Sequence, residues 1–192
     1  TGEPHDADLI LITHPHFDHL EPADVLKISK PDTLIVTVPE CAQKLKEAKV
    51  PGTFQEVKPG DQLTFKEAII RAVAAYNTNK DFHPKEKSWV GFVVEVGGVR
   101  VYHAGDTDLI PEMEGLQVDV ALLPVSGTYV MTAEEAAQAA QKIQAKVYVP
   151  MHFGSIIGTV ADAKRFMAAA EGRLVEVLAK QEEAPAQEPA KP

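Results

Sequence analysis

Thr13-His14-Pro15-His16-Phe17-Asp18-His19 sets three imidazoles and a carboxylate side by side, directly after the apolar run Leu9-Ile10-Leu11-Ile12. That run has the length and branched composition of a buried strand, so the ligand-rich segment falls at a strand exit. Side chains of an extended segment alternate, which can turn His14, His16 and Asp18 to one side while His19, at the start of a turn, reaches a second point nearby. A single histidine here would be read as a hydrogen-bonded loop residue. HxHxDH as a unit is read as a metal-binding segment, and its geometry suits two ions rather than one. Neutral imidazole with carboxylate is the ligand mix of borderline divalent metals; zinc is expected, and manganese, iron and nickel are compatible.

On either side of this segment the chain alternates strand and helix signals. Pro22 stands at a first helical position, residues 23–28 supply an apolar face and Pro31 stops it. Residues 33–38 form a strand pattern and 39–48 a helix; 53–65, broken at Pro59-Gly60-Asp61, is expected to be a hairpin. Residues 68–75, nearly all apolar, fit a central strand covered on both faces. The polar stretch 76–88 is long enough to suggest use rather than mere connection. Gly97-Gly98 between residues 89–96 and 99–103 is a two-residue hairpin signal. A strand over 118–124, a helix opened by Thr132 with Glu135 in a capping-box pattern, a strand over 147–150, a helix over 160–170 and a strand over 174–178 complete the pattern. Residues 1–178 are expected to be one domain, and the Ala/Glu/Pro-rich tail 179–192 is too poor in apolar residues to pack.

Composition limits the function. Nineteen basic against 28 acidic residues give a formal charge of -9, which argues against a surface that neutralises a phosphate backbone, so no nucleic-acid partner is expected. No apolar run approaches the roughly 20 residues that span a bilayer, and no membrane partner is expected. The single cysteine, Cys41, allows no internal disulfide; a reducing, cytoplasmic compartment is the simpler reading. A small-molecule substrate is the expected partner, with a second copy of the chain left open.

Chemically suggestive residues recur at strand exits: His14 to His19, then Asp106 in Ala104-Gly105-Asp106-Thr107-Asp108, then His152 in Met151-His152-Phe153-Gly154. Asp106 alone would be a turn residue and His152 alone an interior histidine. Together with HxHxDH they add a second carboxylate and a fourth imidazole, which is what a two-metal site with a bridging ligand needs.

The motifs HPHFDHL (14–20), WVGFVVEV followed by YHAGDTD (102–108), LLPVSGTYVMTAEEA (122–136) and VPMHFG (149–154) resemble those of metallo-β-lactamase-fold hydrolases. Within that superfamily the chain is most similar to the group that includes ascorbate-6-phosphate lactonases. The resemblance implies an α/β fold of the αββα type, two mixed sheets face to face with helices outside. It implies that His14 and His16 bind one metal, Asp18 and His19 the second, that Asp106 bridges and that His152 joins the second site. The implied reaction is hydrolysis of an ester, lactone or phosphoester of a small anionic metabolite by a water that two divalent cations acidify toward a pKa of about 7, with Asp18 orienting it. A phosphodiesterase or nuclease with the same dinuclear site, and a metal-binding protein with little turnover, are the alternatives. Tyr129, in Ser126-Gly127-Thr128-Tyr129, and Asn77, in the polar loop, are expected to contact substrate.

Two departures from the resembling pattern carry expectations of their own. A third histidine for the first metal usually follows the central strand, near Ala75-Tyr76-Asn77 here; His83, a few residues on, could serve as that ligand or stand off the metals and protonate the leaving group, and the second role is preferred because a long loop holds a ligand loosely. The resembling proteins also open with additional strands before the histidine segment. The chain is therefore expected to be N-terminally shortened, with an unpaired edge in its first sheet.

Overall fold

A pair of strand-helix units builds the first sheet, and a meander followed by further strand-helix units builds the second. The structure is a computed structural model and describes residues 2–178; the tail expected over 179–192 lies outside them. In the first sheet, β1 (Leu9–Ile12), β2 (Leu34–Thr37) and β3 (Thr53–Glu56) lie in the order β1-β2-β3, with both pairings parallel. Two helices make the crossovers: α1 (Pro22–Ile28), started by Pro22 and capped by the Glu21 carboxylate, and α2 (Pro39–Glu47). The second sheet is mixed, in the order β4 (Gln62–Phe65), β5 (Ala68–Ala74), β6 (Val90–Val96), β7 (Val99–His103), β8 (Val120–Pro124), β9 (Val147–Met151). Its strands are antiparallel as far as β7 and parallel from there on.

Two cores make the layers. Ile35, Cys41 and Leu45 of the first sheet and α2 share one core with Ile70, Val90 and Phe92 of the second sheet, so the two sheets face each other. The opposite face of the second sheet, including Tyr102, Leu123 and Tyr148, packs against the alanine face of α3 (Ala133–Lys142) and against Phe166 of α4 (Val160–Ala169). The result is the expected helix-sheet-sheet-helix arrangement, with four α-helices among the described residues. Both Thr132 and Thr159 open their helices with complete capping boxes, which satisfy backbone donors that would otherwise be orphaned.

Three expectations are corrected. Residues 53–65 are not a hairpin: β3 pairs with β2, β4 pairs with β5, and the chain passes between sheets at Pro59-Gly60, where Gly60 N–H donates to Ala72 O at 2.9 Å. Strand 174–178 reduces to a single bridge, Val175 to Tyr148, flanked by two hydrogen bonds. Strand β5 is not covered on both faces throughout, since Arg71 is exposed and donates to Gln62 on the edge strand β4. Among the described residues β1 pairs with β2 alone and so forms one edge of its sheet. No helix among them is long and apolar enough to cross a membrane.

The register places the site. β7, β8 and β9 run parallel with His103 beside Leu122 and Pro124 beside Met151, so the segments after β7 and β9 emerge on one rim. The histidine segment is brought to that rim by a hydrogen bond across the sheets, from Val90 N–H at the start of β6 to Thr13 O at 3.3 Å.

Candidate metal centre

Two groups of side chains face each other on this rim. In one, ligand-capable atoms of His14, His16, His83 and Asp106 lie within 4.8 Å of one another; in the other, those of Asp18, His19 and His152 do. The alternation expected to keep Asp18 with His14 and His16 does not hold, because residues 16–19 form a turn in which His19 and Leu20 N–H both donate to His16 O. That turn sends Asp18 and His19 to the second group. Asp106 joins the two: one carboxylate oxygen is 3.2 Å from His83 Nε2 and 3.2 Å from His152 Nε2, and the other is 3.2 Å from His19 Nε2.

Local backbone geometry aims these groups. Gly105, with φ +66°, turns the chain before Asp106; a Cβ there would come within 2.9 Å of Val90 O. His152 itself has φ 61°, an unfavourable conformation for a residue with a side chain and one that persists at functional sites. Hydrogen bonds orient the rings from behind. Thr13 Oγ1 pairs with His14 Nδ1 at 2.9 Å, Ser126 Oγ with His152 Nδ1 at 2.8 Å, and Asn77 Oδ1 accepts from His83 Nδ1 at 3.0 Å, so that each ring presents Nε2 to the cluster.

His83 reaches the first group because the polar loop closes at its base. Asn77 N–H donates to His83 O at 2.8 Å, and His83 N–H donates to Asn77 Oδ1 at 2.9 Å. The loop thereby returns His83 to the exit of β5, where it is only 1% exposed. The expectation that a loop of this length would hold the ring loosely is corrected. Asn77 was expected to contact substrate; it is buried instead, holding His83 and donating through Nδ2 to Tyr129 O at 3.0 Å. Sequence reasoning also missed Trp89, whose ring packs 4.9 Å from His16, 5.2 Å from His14 and 5.7 Å from His83, walling off the first group. It missed His103 as well, where the only signal was a histidine in the last position of a strand next to the Asp106 turn. Gly105 N–H donates to His103 Nδ1 at 3.1 Å, which leaves the proton of the neutral ring on Nε2.

The groups fit a metal. Nε2 of His14, Nε2 of His83 and Oδ1 of Asp106 are buried without a satisfied hydrogen bond, their nearest polar neighbours being other members of the same cluster, an expensive arrangement unless a cation lies between them. Their protonation suits ligation too. Burial, reinforced by the neighbouring His19, pushes His14 down to about 2, against the pull of Asp106. Burial and His83 hold His16 below its ordinary value. Burial acts to raise the Asp106 carboxyl, but the close imidazoles of His152, His19 and His83 outweigh it and keep the acid ionised far below the usual carboxylate range. For His152 the contact with Asp106 wins over burial and raises the pKa. Neutral imidazole beside ionised carboxylate, the form that ligates a metal, is thus favoured at His14, His16 and Asp106, whereas His152 has to give up a proton to ligate.

The cluster floors a cleft with two lobes. One lobe, of about 360 Å³, runs past Asp18, His19, His103 and His152. The other, of about 320 Å³, runs past His16, His83 and Tyr129; Asp18, Asp106, Ile156 and Ile157 border both. Neither lining includes a lysine or an arginine.

A cleft floored by two histidine-carboxylate groups, at the rim of facing sheets in an αββα frame, defines a metal-dependent hydrolase of the metallo-β-lactamase fold. Comparison with known proteins agrees. The profile of the beta-lactamase superfamily domain matches residues 1–153. A UPF0173 metal-dependent hydrolase of Methanoregula boonei is 38% identical over 174 residues, covering 86% of this chain and 75% of that protein. One from Symbiobacterium thermophilum is 35% identical over 167 residues, covering 83% and 71%. Among solved structures, a metal-dependent hydrolase from Parabacteroides distasonis matches with a TM-score of 0.79 at 36% identity, over 90% of this chain and 76% of that one. The chain belongs to the beta-lactamase superfamily, in its UPF0173 family of metal-dependent hydrolases.

Proposed function

We propose that the enzyme hydrolyses an ester, lactone or phosphoester bond in a small anionic metabolite, with two divalent cations, zinc first among the candidates, held at the rim. The observation that carries this reading is the pair of ligand groups joined through Asp106, with three buried polar atoms left unpaired at the floor of an open cleft. His14, His16 and His83 would hold one cation, Asp18, His19 and His152 the other, and Asp106 would serve both. When bound, the cations acidify water toward neutral pH and polarise the oxygen under attack.

The chain's own residues do the rest. Asp18, whose side chain is 22% exposed where the lobes meet, is placed to orient the attacking water and accept its proton. His103, kept neutral by burial, offers its Nε2–H to a substrate oxygen in the first lobe. His83 acts as a ligand rather than as the acid for the leaving group, since its Nε2 is buried and turned to Asp106. Negative charge on the substrate has the cations as its counter-charge, because the cleft lining offers no lysine or arginine. That favours an anion close to the scissile bond over a remote phosphate, and so places a simple lactone or ester ahead of a substrate like ascorbate 6-phosphate. A cytoplasmic setting accords with the lone, buried thiol of Cys41.

Metal analysis after zinc loading should give two ions per chain, and the loaded protein should turn over at least one member of a panel of lactones, phosphodiesters and thioesters. The His16→Ala, Asp106→Ala double variant should lose metal and turnover together. Full metal content in that variant would refute the assignment.

A further inference from the structure

We infer that the second lobe of the cleft binds an apolar group of the substrate, a short acyl chain or an aryl ring attached next to the scissile bond. This rests on the hydrolytic reading above and adds the shape of the molecule that the site takes. Four large apolar side chains that a monomer would ordinarily bury are exposed around this lobe: Phe17 at 72%, Ile156 at 60%, Phe82 at 48% and Tyr129 at 36%. They come from four separate loops, after β1, β5, β8 and β9, so their meeting is a product of the fold rather than of one greasy segment. Apolar surface gathered in one concavity, with the polar groups confined to its floor, is the usual form of a small-molecule site.

The wall is built and tied to the metal groups. The rings of Phe82 and Tyr129 meet edge to face at a centroid distance of 4.6 Å. The Tyr129 carbonyl accepts from Asn77 Nδ2, and the same Asn77 holds His83, so aromatic wall and ligand share one support. Phe17 sits between His16 and Asp18 within the ligand segment itself. The lobe opens onto His16, His83 and Asp106, so a group filling it has its attachment point beside them. A volume of about 320 Å³ is at the small end of ligand sites, which limits the occupant to a short chain or one ring. A sugar phosphate would find no cation on this wall and would leave its hydroxyls facing carbon.

Two measurements test this independently of each other. The first is kcat/KM of the zinc-loaded protein for p-nitrophenyl esters from acetate to octanoate, expected to rise by up to about fourfold per methylene until the lobe is full. The second needs neither metal nor turnover: titration of the metal-free chain with n-alkanols from butanol to octanol, followed by NMR of the isoleucine methyls, should shift Ile156 and Ile157 with affinity rising along the series. Phe82→Ala and Ile156→Lys, both at exposed positions, should flatten both dependences, the second read at Ile157 in the Ile156→Lys variant, while leaving the thermal midpoint of the metal-free chain within a few degrees. Length-dependent methyl shifts with no ester cleavage would support the apolar site and count against the hydrolysis of esters. Ester cleavage independent of chain length, with no methyl shifts, would overturn the apolar site and leave the hydrolytic reading standing.

Discussion

Replacing Asn77 by alanine should weaken metal binding more than any other change made outside the ligands. Asn77 is 8% exposed; its Oδ1 accepts from His83 N–H at 2.9 Å and from His83 Nδ1 at 3.0 Å, and its Nδ2 donates to Tyr129 O at 3.0 Å. Alanine leaves two buried His83 donors without a partner, while the Tyr129 carbonyl lies close enough to the surface to recover a water. At about 1–3 kcal/mol per unsatisfied donor, partly relieved by water entering the vacated space, the loss is about 2–4 kcal/mol. For a chain of this size that lowers the thermal midpoint by about 5–15 °C. Freed of its support, the His83 ring is no longer fixed in tautomer or direction, and affinity at the first group should fall by about 10- to 100-fold. Trp89, the only tryptophan, packs against three imidazoles of that group, so its fluorescence reports zinc in competition with a chelator. Asn77→Asp keeps an oxygen for both His83 donors and should recover most of the affinity. Wild-type zinc affinity in Asn77→Ala would remove His83 from the ligand set, and an equal loss in both variants would show that orientation of the ring is not what Asn77 supplies.

Two further outcomes concern the frame. Thr132→Ala removes the hydroxyl that accepts Glu135 N–H and with it half of the capping box of α3, so urea unfolding should show a loss of about 1 kcal/mol with an unchanged slope. Burial pushes the Cys41 thiol from 9.0 up to about 11, because the core disfavours the thiolate. The unfolded chain then ionises at lower pH than the folded one; the thiol's contribution to stability is whole below pH 9 and is lost as pH rises through about 11. Between these values the urea midpoint of the native protein should fall more steeply with pH than that of Cys41→Ala, and iodoacetamide should label Cys41 at pH 8 only when denaturant is present. Parallel pH profiles, or rapid labelling of the folded chain, would refute the buried thiol.

Much of the frame was legible because its signals are local. Gly97 and Gly98 take φ 57° and 76°, the positive pair that a tight hairpin demands and that glycine reaches without strain. Thr132 and Glu135 close their box within one helical turn, and Pro22 starts α1 where its missing N–H is of no consequence. The apolar runs at β1, β2 and β8 announced strands, and the density of ligands after β1 announced a metal, since no packing role accounts for HxHxDH. Misreadings arose where a local pattern is compatible with two partners. β3 and β4 look like the arms of a hairpin, but Thr53 to Glu56 pair with Leu34 to Thr37, and Gln62 to Phe65 with Ala68 to Arg71.

The sequence by itself determined the chemistry of the centre, because ligand types and their attachment to strand ends are written in single residues and short spacings. The family resemblance already separated His14 and His16 from Asp18, His19 and His152; how the chain brings that separation about, and that His83 joins the first group, was decided only by tertiary structure. A turn at 16–19 breaks the alternation and moves Asp18 across to His19 and His152, and a loop closed by Asn77 carries His83 back to His14 and His16. The same holds for the apolar lobe, where Phe17, Phe82, Tyr129 and Ile156 are unremarkable one at a time and meaningful only where four loops converge. The physical reason is that periodicity and turn preference act over a few residues, whereas these contacts are fixed by the facing of two sheets and the register of their strands.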